Sequence, residues 1–158
     1  QAEGYDIFKT VEDTFVKPWN GNPDFVIFDT APSVGGLQEA ALAAADLVIV
    51  PAATDHLALF GLTGLLETLG DLQKRHGWLG RVAVLPTFYD GVTRASHDNL
   101  GKIATQIQTL DFPMFSLIHR DTKLREAAAE GQTIFEYAPT SRAAKEYAAL
   151  IWKVLEEV

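Results

Sequence analysis

Apolar residues along the chain fall into short continuous runs that are separated by longer, helically spaced stripes. The short runs lie at 24–29, 47–50 and 81–87, with Pro, Gly, Asp or Asn residues close to their ends. Runs of this length are typical of strands that are buried on both faces, as in a parallel sheet. Residues 114–118 are predicted to form a further, shorter strand.

Between the runs, apolar side chains recur every three or four residues, which places them on one face of an α-helix. In the last stripe, Tyr147, Ile151 and Leu155 are among the residues expected to face the core. Residues 131–139 are predicted to form an irregular loop. The spacing predicts helices over 6–17 and 37–45, a longer helix ending at Gly77, one that follows Arg94 and reaches Leu110, a short one capped by Asp121 or Thr122 and ending at Ala129, and one from Ser141 onward.

Strands that alternate with helices at these spacings require parallel crossover connections. We therefore predict an α/β fold for residues 1–158, with a mostly parallel sheet between two layers of helices, as one domain or part of one. The chain is 47% hydrophobic over 158 residues, which suffices for a buried core. It contains no cysteine and no apolar run of about 18 residues, so neither disulfides nor a transmembrane helix are expected.

The net charge of −8 argues against binding to nucleic acid through bulk charge, which requires a basic protein. Any DNA binding must therefore use a local basic patch. Arg120, Lys123 and Arg125 form one candidate, although the same residues also suit a solvated helix start with Glu126 as their partner. Arg94, at a junction between a loop and a helix, is a second candidate or an ordinary surface arginine.

Asp29 ends the first apolar run, and a Pro-containing turn follows it. A carboxylate at the C-terminal end of a parallel strand points into the crevice where α/β folds bind ligands. This is the position of a Walker B aspartate, which holds the magnesium of a nucleotide directly or through water. The alternative is structural, since Asp also starts turns. The sequence has no G-x-x-x-x-G-K-[ST] loop, no paired metal-ligand spacing and no G-x-S-x-G elbow.

Three segments resemble the ParA/Soj family of partitioning ATPases, which are relatives of MinD. They are DFVIFDTAPSVGGLQEAALAAADLVIVPAA at 24–53, the LPTFYD…TR segment at 85–94, and IHRDTKLREAAAEGQTIFEYAPTSRAAKEYAALIWKVL at 118–155. The order of the segments matches the family, and the resemblance covers nearly the whole chain from residue 24. It implies a P-loop NTPase-like fold that is incomplete at its N-terminal side.

The resemblance implies a nucleotide site that uses ATP and magnesium. Asp29 falls on the Walker B aspartate, with a catalytic role and a magnesium contact through water. Phe88, Ile118, His119 and Arg120 fall where the family holds the adenine base. His119 stands where the family has proline, which is the main departure at this site.

The resemblance also implies DNA binding that does not read sequence. Arg94 and Lys123 fall on basic positions that the family uses to touch the DNA backbone, and Lys123 stands where an arginine is usual. A few such phosphate contacts are compatible with an acidic chain. The implied partners are a second copy in an ATP-dependent homodimer and a ParB-like centromere-binding protein, with no membrane. The implied location is the cytoplasm, in association with the nucleoid.

The family's phosphate-binding loop, K-G-G-x-G-K-[ST], does not occur in these residues. We therefore expect that the chain is the C-terminal part of a longer protein, and that it hydrolyses no ATP by itself, because phosphoryl transfer depends on positioning and charge neutralisation. A degenerate, non-catalytic relative is the alternative. Two other functions remain open: a MinD-like or other positioning ATPase, and a non-enzymatic interaction module of the same fold.

Overall fold

The computed structural model describes Asp13 and residues 24–30, 36–76 and 80–157. Apart from Asp13, the predicted helix at 6–17 lies outside the described residues, as does Gly77. The described elements are helix α1 (Gly36–Ala44), strand β1 (Leu47–Ala53), helix α2 (His56–His76), strand β2 (Arg81–Thr87), and helices α3 (Arg94–Thr109), α4 (Thr122–Ala129), α5 (Ile134–Tyr137) and α6 (Arg142–Glu157).

The chain divides into two compact units. The first comprises Gln1–Val48 with Gly70–Arg81, and the second comprises Ile49–Leu69 with Val82–Val158. In the first unit, Ala40 of α1 is fully buried, and the N–H of Arg81 donates to the carbonyl of Asp46 at 2.8 Å. The second unit contains most of the strand pairing and all of α3 to α6.

Strands β1 and β2 form a parallel two-stranded sheet, as predicted. On the other side of β2, the predicted strand at 114–118 is an extended segment with one isolated parallel bridge, between Val84 and Met114. A proline in β2 explains why this pairing is interrupted. Pro86 accepts a hydrogen bond from the N–H of Ile118 at 2.8 Å, but it has no N–H to return to the neighbouring segment.

The core of the second unit lies around β2. Residues 82–86 are all buried, and because successive residues of a strand point to opposite faces, both faces of β2 are covered. Helix α2 contributes a buried leucine stripe at the predicted spacing, and α3 contributes Ile103 and Ile107. Parallel strands that alternate with helices confirm the predicted α/β class. The buried leucines of α2 are Leu59, Leu62, Leu66 and Leu69.

The prediction of a buried strand at 24–29 is wrong for this structure. Residues 25–30 have no regular secondary structure, and the side chains of Phe25 and Ile27 are 51% and 91% exposed. A strand is stabilised by hydrogen bonds to a neighbouring strand and by the cover of its faces. No strand among the described residues pairs with this segment, so its apolar sequence alone does not produce a strand.

Two predictions near the C-terminus also need correction. The predicted loop at 131–139 contains α5, which begins with a capping box between Thr133 and Glu136. In α6, Ala143 and Ala144 are buried against Ile134, but Ile151 and Leu155 are exposed. These two residues lie in the second half of the helix, beyond the cluster that covers its first turns. No helix among the described residues is long and apolar enough to cross a bilayer.

Candidate functional site

The loop that follows β2 presents an aromatic side chain in a strained conformation. Phe88 has a φ of 54°, in the left-handed region, and is 60% exposed. For a residue with a Cβ this conformation costs roughly 1–2 kcal/mol, and such strain concentrates at functional sites. An exposed ring that is held at this cost provides an apolar surface on which a flat group can stack. The family resemblance assigns Phe88 to the base, and that assignment stays a prediction.

The segment 118–120 lies directly beside this loop. The N–H of Tyr89 donates to the carbonyl of Ile118 at 3.1 Å, and the N–H of Arg120 donates to the carbonyl of Tyr89 at 2.9 Å. The rings of Tyr89 and His119 meet edge to face, with centroids 5.2 Å apart. Ile118 itself is 3% exposed, and both of its backbone groups are bonded, the N–H to Pro86 and the carbonyl to Tyr89. It therefore anchors the junction, while Phe88, His119 and Arg120 remain at least partly accessible.

Helix α6 holds the next three residues of this segment in place. The carboxylate of Glu146 accepts the N–H of His119 at 2.8 Å and the ring Nδ1 of His119 at 2.7 Å. The guanidinium of Arg142 donates to the carbonyl of Arg120 at 3.3 Å. Asp121 accepts one N–H from the first turn of α4 and another from Ala143 of α6, so a single carboxylate caps two helix starts.

Glu146 holds His119 in place, and sequence reasoning missed this role. It lies 27 residues from His119, and nothing in the pattern of either segment links the two positions. The one available signal was the departure from the family sequence: a histidine in place of proline gains an N–H and a ring nitrogen, both of which need partners when they are partly buried. Glu146 supplies both.

A buried polar network fixes the loop from the other side. The hydroxyls of Thr54 and Ser96 are 2.8 Å apart, and the Ser96 hydroxyl also accepts the N–H of Asp90 at 2.9 Å. Asn99 donates to the carbonyl of Thr54 at 3.4 Å. All three of Thr54, Ser96 and Asn99 are buried. The network therefore joins the end of β1, the loop after β2 and the first turns of α3.

The two predicted DNA contacts differ in their availability. Arg94 begins α3 with its side chain 94% exposed, and its ion pair with Asp98 is long, at 3.6 Å. Lys123 is engaged at 2.7 Å by Glu126, and its ammonium lies 5.7 Å from the centre of the Tyr137 ring. The hydrogen bond to Glu126 raises the pKa of Lys123, and the same bond, followed by one from Tyr137, lowers the pKa of Glu126.

Asp29 belongs to the first unit, whereas the other candidate residues belong to the second. Its carboxylate is exposed at the end of the 24–30 segment. Magnesium keeps several waters and takes only one or two carboxylates together with substrate phosphates, so a single accessible carboxylate fits this ion. Within the described ranges no three acidic or histidine side chains form a group that could hold a metal by themselves.

Comparison with known proteins identifies the family. The AAA domain matches residues 8–78. The chain is 35% identical over 136 residues to the chromosome-partitioning ATPase Soj of Thermus thermophilus, which covers 85% of this chain and 54% of that protein. It is 34% identical over 134 residues to the sporulation initiation inhibitor protein Soj of Bacillus subtilis, with 84% and 52% covered. The chain belongs to the ParA/Soj family.

A third relative of this ParA/Soj chain is the cell division protein PomZ of Myxococcus xanthus, which is 30% identical over 133 residues, with 84% of this chain and 41% of that protein covered. The chain spans about half the length of the relatives it matches. Two segments of the family resemblance, at 85–94 and 118–155, meet at the junction of Tyr89 and His119. The structure thus brings together residues that are far apart in the family pattern.

Proposed function

We propose that the protein is a ParA-like positioning ATPase, and that the junction of Tyr89 and His119, with the neighbouring Phe88, is its base-binding site. The observation that carries this proposal is the exposed side chain of Phe88 on a left-handed backbone, directly before Tyr89, which bonds to the segment that α6 holds. A rigid aromatic surface beside partly accessible polar groups suits a flat heteroaromatic ring. Family membership supplies the expectation that this ring is adenine.

In this proposal, Phe88 stacks on the base, and His119 and Arg120 line its edge. Asp29 holds magnesium through water. When bound, ATP and magnesium supply the phosphoryl group and the charge neutralisation that its transfer requires. The phosphate-binding loop of the family is not part of these 158 residues. The proposal therefore assigns ATP hydrolysis to the intact protein and no hydrolysis to this chain by itself. Here the intact protein means these residues together with whatever else the gene encodes.

We further propose that Arg94 is the principal contact to DNA, because its side chain is exposed and weakly paired. Lys123 contributes less, since it must first leave Glu126. The proposal has four further parts. The protein forms an ATP-dependent homodimer, binds a ParB-like partner, lies on the nucleoid in the cytoplasm, and has one ATPase domain that includes residues 1–158. These parts rest on family membership, and each requires its own measurement.

The nucleotide assignment is tested by titrating the intact protein with ATP and magnesium and comparing Phe88→Ala with Phe135→Ala. Both are exposed phenylalanines, and Phe135 lies on α5, so it serves as a matched control. Loss of a stacked base costs roughly 1–3 kcal/mol, which corresponds to about a 5- to 150-fold weaker affinity. We expect this loss for Phe88→Ala alone. Equal affinities for the two variants would refute the site.

The DNA assignment is tested by the salt dependence of binding to non-specific duplex DNA. Arg94→Glu is compared with Lys102→Glu, which makes the same change of charge on the same helix, α3. Each lost phosphate contact lowers the slope of log K against log salt by about 0.9. We expect a reduced slope for Arg94→Glu and an unchanged slope for Lys102→Glu. If both variants shift equally, the effect is one of bulk charge and Arg94 is not a specific contact.

A second candidate is the positioning of a cargo other than DNA, and the relative PomZ, a cell division protein, favours it. The nucleotide site would be unchanged in that case, but the intact protein would bind duplex DNA no better than Arg94→Glu does. The same salt titration therefore separates the two candidates. A non-enzymatic interaction module would instead show no ATP binding in the intact protein.

A further inference from the structure

The contact between His119 and Glu146 fixes more than the position of the segment. Both oxygens of the Glu146 carboxylate are used, one by the N–H of His119 and the other by its ring Nδ1. The Glu146 side chain is only 19% exposed, and Arg142 lies 3.9 Å from the same oxygen that the ring contacts. The carboxylate is thus held in one orientation toward the histidine.

This geometry decides the tautomer of the imidazole. An ionised carboxylate has no proton to donate, so the ring nitrogen at 2.7 Å must carry the hydrogen of that bond. In a neutral imidazole, a proton on Nδ1 leaves Nε2 as an acceptor, and the bond made by one nitrogen sets the state of the other. Glu146 therefore turns Nε2 of His119 into a hydrogen-bond acceptor.

Nε2 is the part of His119 that is left to interact with a ligand. A quarter of the side chain is exposed, and no described residue forms a hydrogen bond to Nε2. The ring packs edge to face on Tyr89, the residue that follows Phe88. Phe88 is the chain neighbour of Tyr89, and Tyr89 forms an isolated parallel bridge with His119.

We propose that His119 is a base-specificity residue and that Glu146 is the positioning residue that sets its polarity. An acceptor at Nε2 favours a purine that carries an exocyclic amino group at position 6, as adenine does, over one with a carbonyl there, as in guanine. The inference rests on the proposed nucleotide function and deepens it. It concerns a histidine at a position where the family sequence has proline, a residue without any side-chain hydrogen-bonding group.

Glu146→Gln makes the sharpest test because it should reverse the polarity. The backbone N–H of His119 is a fixed donor and selects the amide oxygen of the glutamine. The amide NH₂ then faces Nδ1, which must accept, so the proton moves to Nε2 and that atom becomes a donor. His119→Phe is the second variant: it keeps a ring and the backbone N–H but removes Nε2 altogether. Lys145→Gln, at an exposed neighbouring position, is the control.

The experiment measures the ratio of the dissociation constants for GTP and ATP in the intact protein at pH 8. One hydrogen bond contributes roughly a three- to tenfold preference. We expect Glu146→Gln to lower the ratio by at least that factor, His119→Phe to lower it less, and Lys145→Gln to leave it unchanged. ATP binding with an unchanged ratio in both test variants would overturn this inference alone. Absence of ATP and GTP binding by the wild-type protein would overturn the proposed function, and the inference with it.

Discussion

Replacing Ser96 by alanine should loosen the loop that carries Phe88 and Arg94. The Ser96 hydroxyl makes two hydrogen bonds, one with the hydroxyl of Thr54 at 2.8 Å and one from the N–H of Asp90 at 2.9 Å. Ser96 and Thr54 are both buried, so solvent does not replace the lost partner. Each bond contributes about 1 kcal/mol net, and a buried group left unpaired costs about 1–3 kcal/mol.

The expected loss in the free energy of unfolding is therefore roughly 2–3 kcal/mol. For a protein of this size, that lowers the melting temperature by about 4–12 °C. The assay is urea denaturation of the 158-residue protein followed by circular dichroism, with Ser116→Ala as the control. Ser116 is exposed, and its hydroxyl bonds to no described residue, so its removal should change stability by less than about 0.5 kcal/mol.

A double-mutant cycle with Thr54→Val tests whether the two hydroxyls act as a pair. Once Thr54 has lost its hydroxyl, Ser96→Ala leaves one fewer unpaired group. The double variant should therefore lose about 1 kcal/mol less free energy of unfolding than the sum of the two single variants. Amide exchange at Asp90 should also accelerate in Ser96→Ala, because that N–H loses its acceptor. Additive losses, or an Asp90 amide that remains fully protected, would refute the network as the support of the loop.

Three further outcomes follow from the same unit. Asp121→Ala should lower the free energy of unfolding in urea by about 1–2 kcal/mol, because it removes the cap of α4 and the acceptor of an N–H in α6. Asp121→Asn should lower it less, and equal losses in the two variants would argue against capping. Phe88→Gly should not destabilise the fold, since it removes left-handed strain from an exposed residue, and a clear loss would contradict that strain. Ionised Glu126 stabilises the folded protein at pH values above its ordinary pKa of 4.5, and this contribution should vanish as pH falls through its lower pKa in the folded state. Glu126→Gln should therefore make the stability depend less on pH in the acid range. The same variant should strengthen DNA binding, because Lys123 loses its ion-pair partner.

The acid prediction depends on the sign of the pKa shift. The hydrogen bond from Lys123 lowers the pKa of Glu126 in the folded state, so the unfolded chain binds the proton more readily. Stability therefore rises with pH across this interval. Lys123 behaves in the opposite sense, since its pKa is raised: its contribution is present at pH values below 10.5 and is lost as pH rises through the folded value. Stability that was independent of pH below 5 would contradict the pairing.

Local sequence patterns determined several elements of this protein without reference to the rest of the chain. The strand at 81–87 has the predicted bounds, and α4 is capped by Asp121, one of the two predicted caps. These features depend on neighbours within a few residues: the apolar run of a doubly covered strand, and a side chain that bonds the N–H two positions on. The capping box of α5 belongs to the same class and could have been read from Thr133 and Glu136.

Tertiary structure decided the features that require a distant partner. The 24–29 run has the composition of a strand, yet its backbone finds no neighbouring strand among the described residues, and Phe25, Val26 and Ile27 stay exposed. The pairs Thr54–Ser96 and His119–Glu146 are separated by 42 and 27 residues, and only the parallel arrangement around β2 brings their segments together. Sequence proposed the candidate site residues, and packing decided which of them are held or paired, because hydrogen bonds depend on position in space.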